Sequence, residues 1–152
     1  MSCTSFRKIR FHLFRAGENA GFAKASIHPI VTLRAADGIN VPITLSIGGQ
    51  TVGLIAKLDT GAANCNFERK YAEILGLEIE SGPLQRFRTV AGSFAAYRHE
   101  VTMQTFGIEF SAAVFFAQDA AFSRNLLGRS GWLDRLRIGI IDYDRTLFLG
   151  PY

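Results

Sequence analysis

Leu58-Asp59-Thr60-Gly61-Ala62 is the stretch on which the reading of this 152-residue chain turns. An apolar run from Val52 to Leu58, in which only Lys57 is charged, delivers one acidic side chain into a tight Thr-Gly turn. A carboxylate at the end of a buried strand is costly unless it is paired, hydrogen-bonded or used in chemistry. Gly61 permits a sharp turn and close backbone approach, and the Thr60 hydroxyl can lock that turn by hydrogen bonding.

Upstream of Asp59, residues 51–58 read as a strand, Gly48-Gly49-Gln50 as a turn, and 41–47 as the partner strand. Ala36-Asp37-Gly38 is a hairpin-type turn joining 41–47 to an earlier strand over 30–33, which Pro29 opens. Residues 6–14 alternate imperfectly and read as an edge strand. Residues 16–24, rich in Gly and Ala, read as a connection. Downstream, 68–75 is the one convincing helix. Tyr71, Ile74 and Leu75 fall at i, i+3 and i+4, Gly76 stops it, and Asn64 or Asn66 caps its start.

Beyond Pro83 three alternating segments follow, over 85–90, 94–106 and 108–117. Ala91-Gly92-Ser93 forms the tip of the first hairpin and Gly107 punctuates the second. Asn125-Leu126-Leu127-Gly128 is a short apolar run stopped by glycine. Residues 132–136 predict a short helix, and 138–142 with 146–149 predict closing strands around Tyr143-Asp144-Arg145. The pattern is a mostly β single domain with one or two short helices.

Bulk properties narrow the function. No apolar run approaches the roughly 20 residues of a membrane span, and charges at Arg7, Lys8, Arg10 and Arg15 break any signal-peptide core. Cys3 and Cys65 lie far apart with no Cys-x-x-Cys, so a reduced, cytoplasmic protein without structural zinc is expected. The net charge of +4 sits in residues 1–40, where six Lys/Arg face only Glu18 and Asp37. A basic arm can serve nucleic acid. No aromatic-basic pattern, Cys/His finger or recognition helix accompanies it, so a solvated β surface is the reading taken and nucleic acid is not expected as a partner.

Other candidate chemistry falls away residue by residue. His12, His28 and His99 have no partner at ligand spacing, so neither metal nor cofactor is expected. Gly128-Arg129-Ser130-Gly131-Trp132 lacks the final glycine of a nucleophile elbow. Cys65 reads as buried and inert. Glu78/Glu80 and Asp142/Asp144 have the period-two spacing of one strand face, beside turns and arginines, and read as solvated surface. Asp59 differs because its neighbours are apolar or small.

Taken in order, these segments resemble the retropepsin-like aspartic proteases, including their single-lobed bacterial relatives. The resemblance covers about residues 41–150. Leu58-Asp59-Thr60-Gly61-Ala62 is similar to the catalytic turn, and 67–77 to the helix that often follows it in bacterial members. Thr89-Val90-Ala91-Gly92-Ser93 is similar to the flap tip. Asn125-Leu126-Leu127-Gly128-Arg129 is similar to the segment packed beside the catalytic turn, and Trp132-Leu133 with 138–149 to the short helix and closing strands.

The resemblance implies a closed single-lobed β-barrel and a peptide or protein substrate. It makes Asp59 catalytic, with Thr60, Gly61 and Ala62 supporting its turn. Val90, Ala91, Gly92 and Ser93 would act as flap and substrate-binding residues, and Leu126, Leu127 and Gly128 would pack beside the turn. With one Asp-Thr-Gly per chain, it implies a homodimer that supplies Asp59 twice. The alternative is a catalytically silent dimerisation or peptide-binding module of the same fold. Two departures stand out. Ala63 and Asn64 replace the acid that often follows the alanine of the turn in retroviral members, which leaves Arg129 without its expected partner. Residues 1–40 have no equivalent in the minimal member; 41–152 would form the protease domain, and 1–40 a basic β extension of it, an interface strand or a cleft-covering segment. Phe87, Phe94 and Leu84 near the flap suggest apolar subsites, or core.

Overall fold

Period-two alternation builds the first hairpin. In β3 (Gly38–Ile47) Val41, Ile43 and Leu45 are buried and Pro42 faces out. In β4 (Gln50–Leu58) Leu54, Ala56 and Leu58 are buried while Ile55 is 48% exposed. The strands pair antiparallel from Asn40 opposite Lys57 to Ile47 opposite Gln50, around Gly48 and Gly49. The apolar run 52–58 is therefore one-sided, which corrects its reading as a buried strand. Pairing register decides which face is wet, whatever the composition.

The computed structural model describes residues 28–152 apart from 32, 36, 37, 91, 142, 144 and 145. The strand expected over 6–14, the connection over 16–24, most of the Ala36-Asp37-Gly38 turn and the Asp142/Asp144 pair lie outside the described residues. The strand expected over 30–33 is two strands: β1 (His28–Val31) and β2 (Leu33–Ala35). After β4 come β5 (Asn66–Phe67), α1 (Arg69–Ile74), β6 (Leu84–Thr89), β7 (Gly92–Thr105), β8 (Ile108–Ala117) and β9 (Leu126–Leu127). The chain closes with β10 (Leu136–Ile141) and β11 (Thr146–Pro151). Single 3-10 turns occupy Ile79–Ser81 and Leu133–Arg135, the latter within the short helix expected at 132–136.

One sheet runs β2-β3-β4-β9-β5-β8-β7-β6, and β3 also pairs with β7, so the strands from β3 to β7 close into a ring. At that seam Thr44–Ser46 oppose Thr102–Gln104, and the buried Thr105 hydroxyl donates to the Pro42 carbonyl at 3.1 Å. The fold is mostly β, arranged as a single-lobed closed ring. A second sheet, β1-β11-β10, packs on it through Leu136, Leu147 and Leu149, which join the core of Trp132, Phe67, Phe116 and Met103.

Helix α1 is shorter than expected and lies on a different face. Ala72 and Leu75 are buried, Tyr71 is partly buried, and Ile74 is 55% exposed. Neither Asn64 nor Asn66 caps it. Glu68 holds the N-cap position with no side-chain cap, because Asn66 is drawn into β5 and Asn64 bridges Ser130. Gly76, at φ 70°, ends the helix in the left-handed region that glycine adopts without strain. Leu75→Ala should lose about 2–5 kcal/mol and Ile74→Ala less than about 1 kcal/mol in urea-midpoint measurements. Equal losses would refute this facing of the helix.

Candidate active site

The Asp59 turn is held by the backbone of a distant segment. Lys57 N–H donates to Asn125 O at 2.8 Å and Asp59 N–H to Leu127 O at 3.0 Å, continuing the parallel pairing of Lys57–Leu58 with Leu126–Leu127. Within the turn, Ala62 N–H donates to Asp59 O at 3.1 Å and Gly61 N–H to Asp59 Oδ1 at 2.9 Å. Beyond it, Arg129 N–H reaches Ala62 O and Ser130 N–H reaches Ala63 O, each at 2.9 Å. Residues 57–64 thus lie in register along 125–130.

Such closeness leaves no room at Gly128. A Cβ there would fall on the Asn64 carbonyl group and within 2.8 Å of Ala62 O. Leu126 is partly buried and Leu127 fully, beside the turn. Cys65 lies beneath, fully buried, and accepts Gly128 N–H at 3.4 Å. Burial pushes its thiol up from 9.0 to about 12, only partly opposed by the Gly128 N–H, while the Asp134 charge adds to the rise. It is an inert core thiol.

Asp59 itself is only partly buried, so the desolvation cost expected for a carboxylate ending a buried strand is not met in the single chain. Thr60 is exposed, and among the described residues its hydroxyl has no hydrogen-bond partner. The expected locking by Thr60 is replaced by the Gly61 and Ala62 amides, which need no side chain. Among the described residues, no ion pair forms at Asp59 or Arg129, and no group of three His, Cys, Asp or Glu could hold a metal. Glu80 pairs with Arg69 at 2.8 Å, and that hydrogen bond holds its carboxyl below the usual range. His99 is structural, its Nε2 lying 2.8 Å from Ile79 O.

The hairpin β6–β7 turns earlier than the Ala91-Gly92-Ser93 tip expected from sequence. Gly92 is already paired with Thr89 and Ser93 with Arg88, so both belong to β7 rather than to the tip, and Ala91 lies outside the described residues. Two-residue connections suit the twist of paired strands. Val90 is fully exposed. Phe87 stacks on Phe94 at 5.1 Å between ring centroids and meets Phe115 edge-on at 5.0 Å; Phe94 contacts Phe122 at 4.6 Å. Leu84, by contrast, is half exposed. Phe122 carries no signal in the sequence, since nothing local links 122 to 94.

No protein-family model and no curated protein matches the sequence. Solved structures do. A retropepsin-like aspartic protease from Rickettsia conorii matches with a TM-score of 0.59 and 21% identity, over 80% of this chain and 98% of that one. The EIAV protease complexed with the inhibitor HBY-793 matches at 0.50 and 19%, over 65% of this chain and 88% of that one. The fold is retropepsin-like. On this retropepsin-like fold the Asp59 turn ends β4, and its backbone contacts run to β9.

Two outcomes test the local geometry. Gly128→Ala should lose more than about 2 kcal/mol, because backbone rather than a flexible side chain meets the added methyl. Cys65 binds its proton more tightly folded than unfolded, so its contribution is complete below about pH 9 and is lost as pH rises toward about 12. In a Cys3→Ser background, alkylation at pH 8 should label the unfolded chain and spare the folded one. Equal labelling would refute the buried thiol.

Proposed function

We propose that this chain is an aspartic endopeptidase that acts as a homodimer, with Asp59 of each copy forming one catalytic dyad. The observation that carries the reading is the one Asp-Thr-Gly of the sequence, set in a turn hydrogen-bonded to β9 on a retropepsin-like fold. Two carboxylates brought that close share one proton and titrate as a pair. The ionised member takes a proton from a bridging water as it attacks the peptide carbonyl. The protonated member donates to the carbonyl oxygen, giving a tetrahedral diol with no acyl-enzyme. Breakdown of the diol, with a proton passed to the amine, releases both products.

The other residues take their roles from this geometry. The exposed Thr60 hydroxyl is free to bond its copy across the two-fold axis, while Gly61 and Ala62 hold the carboxylate in place. Val90, Ala91, Gly92 and Ser93 form the flap that meets the substrate main chain as an added strand. Leu126, Leu127 and Gly128 support the turn. Strand β11 is flanked by its own β1 and β10, so a second copy that leaves this sheet intact would meet one of its outer edges. On β10 that edge presents Ile140 and Ile141, each more than two-fifths exposed.

No helix of the described residues is long and apolar enough to cross a membrane. A cytoplasmic site of action is part of the proposal, consistent with the free, buried Cys65.

The deciding experiment incubates the parent and Asp59→Asn with a diverse peptide pool from about pH 4 to 7. Cleavage by the parent, reduced at least about a hundredfold in the variant, supports the dyad. Specific activity should rise with protein concentration as dimer forms. Equal profiles, or a particle that stays monomeric at high concentration, would sink the reading. Peptide binding without cleavage would favour the silent module instead.

A further inference from the structure

Residues 118–125 run from β8 into β9 and are clamped at both ends by the start of α1. At the first end, Arg69 Nη1 donates to Gln118 O at 3.1 Å and pairs with Glu80 at 2.8 Å, while its Nε holds Glu73 at 2.9 Å. At the other, Glu68 and Asn125 exchange two bonds. Glu68 N–H donates to Asn125 Oδ1 at 3.1 Å, and Asn125 Nδ2 donates to Glu68 Oε1 at 2.7 Å. Between the clamps, Asp119 closes a local turn, accepting Ala121 N–H at its Oδ1 and Phe122 N–H at its carbonyl.

That turn presents Phe122 to Phe94 on β7, at 4.6 Å with the rings tilted by 32°. Gln118 N–H adds a bond to Ala95 O at 2.9 Å. Phe94 in turn stacks on Phe87 of β6, so both strands of the hairpin are joined to the clamped segment. The tip and the outer strand are otherwise exposed, so beyond the β7–β8 pairing that starts at Ala96 the hairpin's angle is set by this contact and by that of Phe87 with Phe115.

We propose that Glu68 and Arg69 are positioning residues for the β6–β7 hairpin: they fix residues 118–125, and Phe122 holds the hairpin through Phe94. The hairpin is thereby coupled to helix α1, and opening it requires parting Phe94 from Phe122. The consequence for peptide cleavage rests on the peptidase reading above; the coupling itself does not. Arg69 reaches three acceptors on different elements through two separate nitrogens, Nε and Nη1, a spread that the single nitrogen of a lysine does not match.

Hydrogen exchange measured by mass spectrometry on the purified chain tests this, alongside peptide hydrolysis by the same samples. Phe122→Ala and Arg69→Gln should each speed exchange in residues 86–96 about tenfold, with β3 and β4 unchanged. Phe122→Tyr keeps the ring and should behave as the parent. Val52→Ala, a core-facing change in β4, should leave the hairpin's exchange as it was. On the peptidase reading KM rises severalfold in the first two variants while kcat changes less. Unchanged hairpin exchange in Phe122→Ala, or acceleration spread evenly over the chain, overturns the proposal. Faster hairpin exchange with KM and kcat both unaltered overturns the positioning role in cleavage. Coupling observed in a parent that cleaves nothing supports the clamp and counts against the peptidase reading instead.

Discussion

The backbone of 125–130 lies against the backbone of 57–64, and the shape of the Asp59 turn follows from that contact. Amides of Lys57 and Asp59 bond to carbonyls of Asn125 and Leu127, and amides of Arg129 and Ser130 return bonds to Ala62 and Ala63. A buried amide without a partner costs about 1–3 kcal/mol, so this set of bonds is what permits an irregular turn to leave a strand here. Its condition is steric. Only a residue without Cβ lets the two segments meet at Gly128. The Cys65 sulfur completes the packing under the same glycine, which is why that thiol is sealed from solvent and held protonated.

Closing the ring places this turn where it is. Strand β3 pairs with β4 from Asn40 to Ile47 and with β7 over a short seam, so the Asp59 turn and the β6–β7 hairpin belong to one continuous hydrogen-bonded surface. Because the strands are one-sided, the core fills with Val41, Ile43, Leu45, Leu54 and Met103 while the alternate residues face out. Asp59 follows the last inward residue, Leu58, at the rim. It is therefore partly wet in the single chain.

The three-stranded sheet bears on how that could happen. With β11 between β1 and β10 of the same chain, its hydrogen-bonding edges are both used. The outer edges remain, and β10 carries apolar side chains there. An exposed apolar edge strand invites pairing, and identical edges meeting about a two-fold axis form a closed, self-complementary contact.

Much of this was legible from residue order alone. Alternation located β6, β7 and β8, and apolar runs between turn residues located β3, β4, β10 and β11, to within a few residues, since period two reflects a physical division between a wet and a dry face. Glycine pairs and Gly76 marked turns because few other residues take positive φ there. The Asp-Thr-Gly turn, the apolar Leu126-Leu127-Gly128 run and their order pointed to the retropepsin-like fold. Apart from the packing of Leu126-Leu127-Gly128 beside the turn, which the resemblance implied, sequence could not supply relations between residues distant along the chain. The pairing of Asn66–Phe67 with both β8 and β9 pulled Asn66 out of a capping role. The burial of Leu75 rather than Ile74 depends on which side α1 meets the sheet. The grip of Phe122 on Phe94, and of Arg69 on Gln118, depends on the ring having closed. Local propensity and pattern are properties of a short window, whereas these contacts exist only once long-range pairing has brought their partners together.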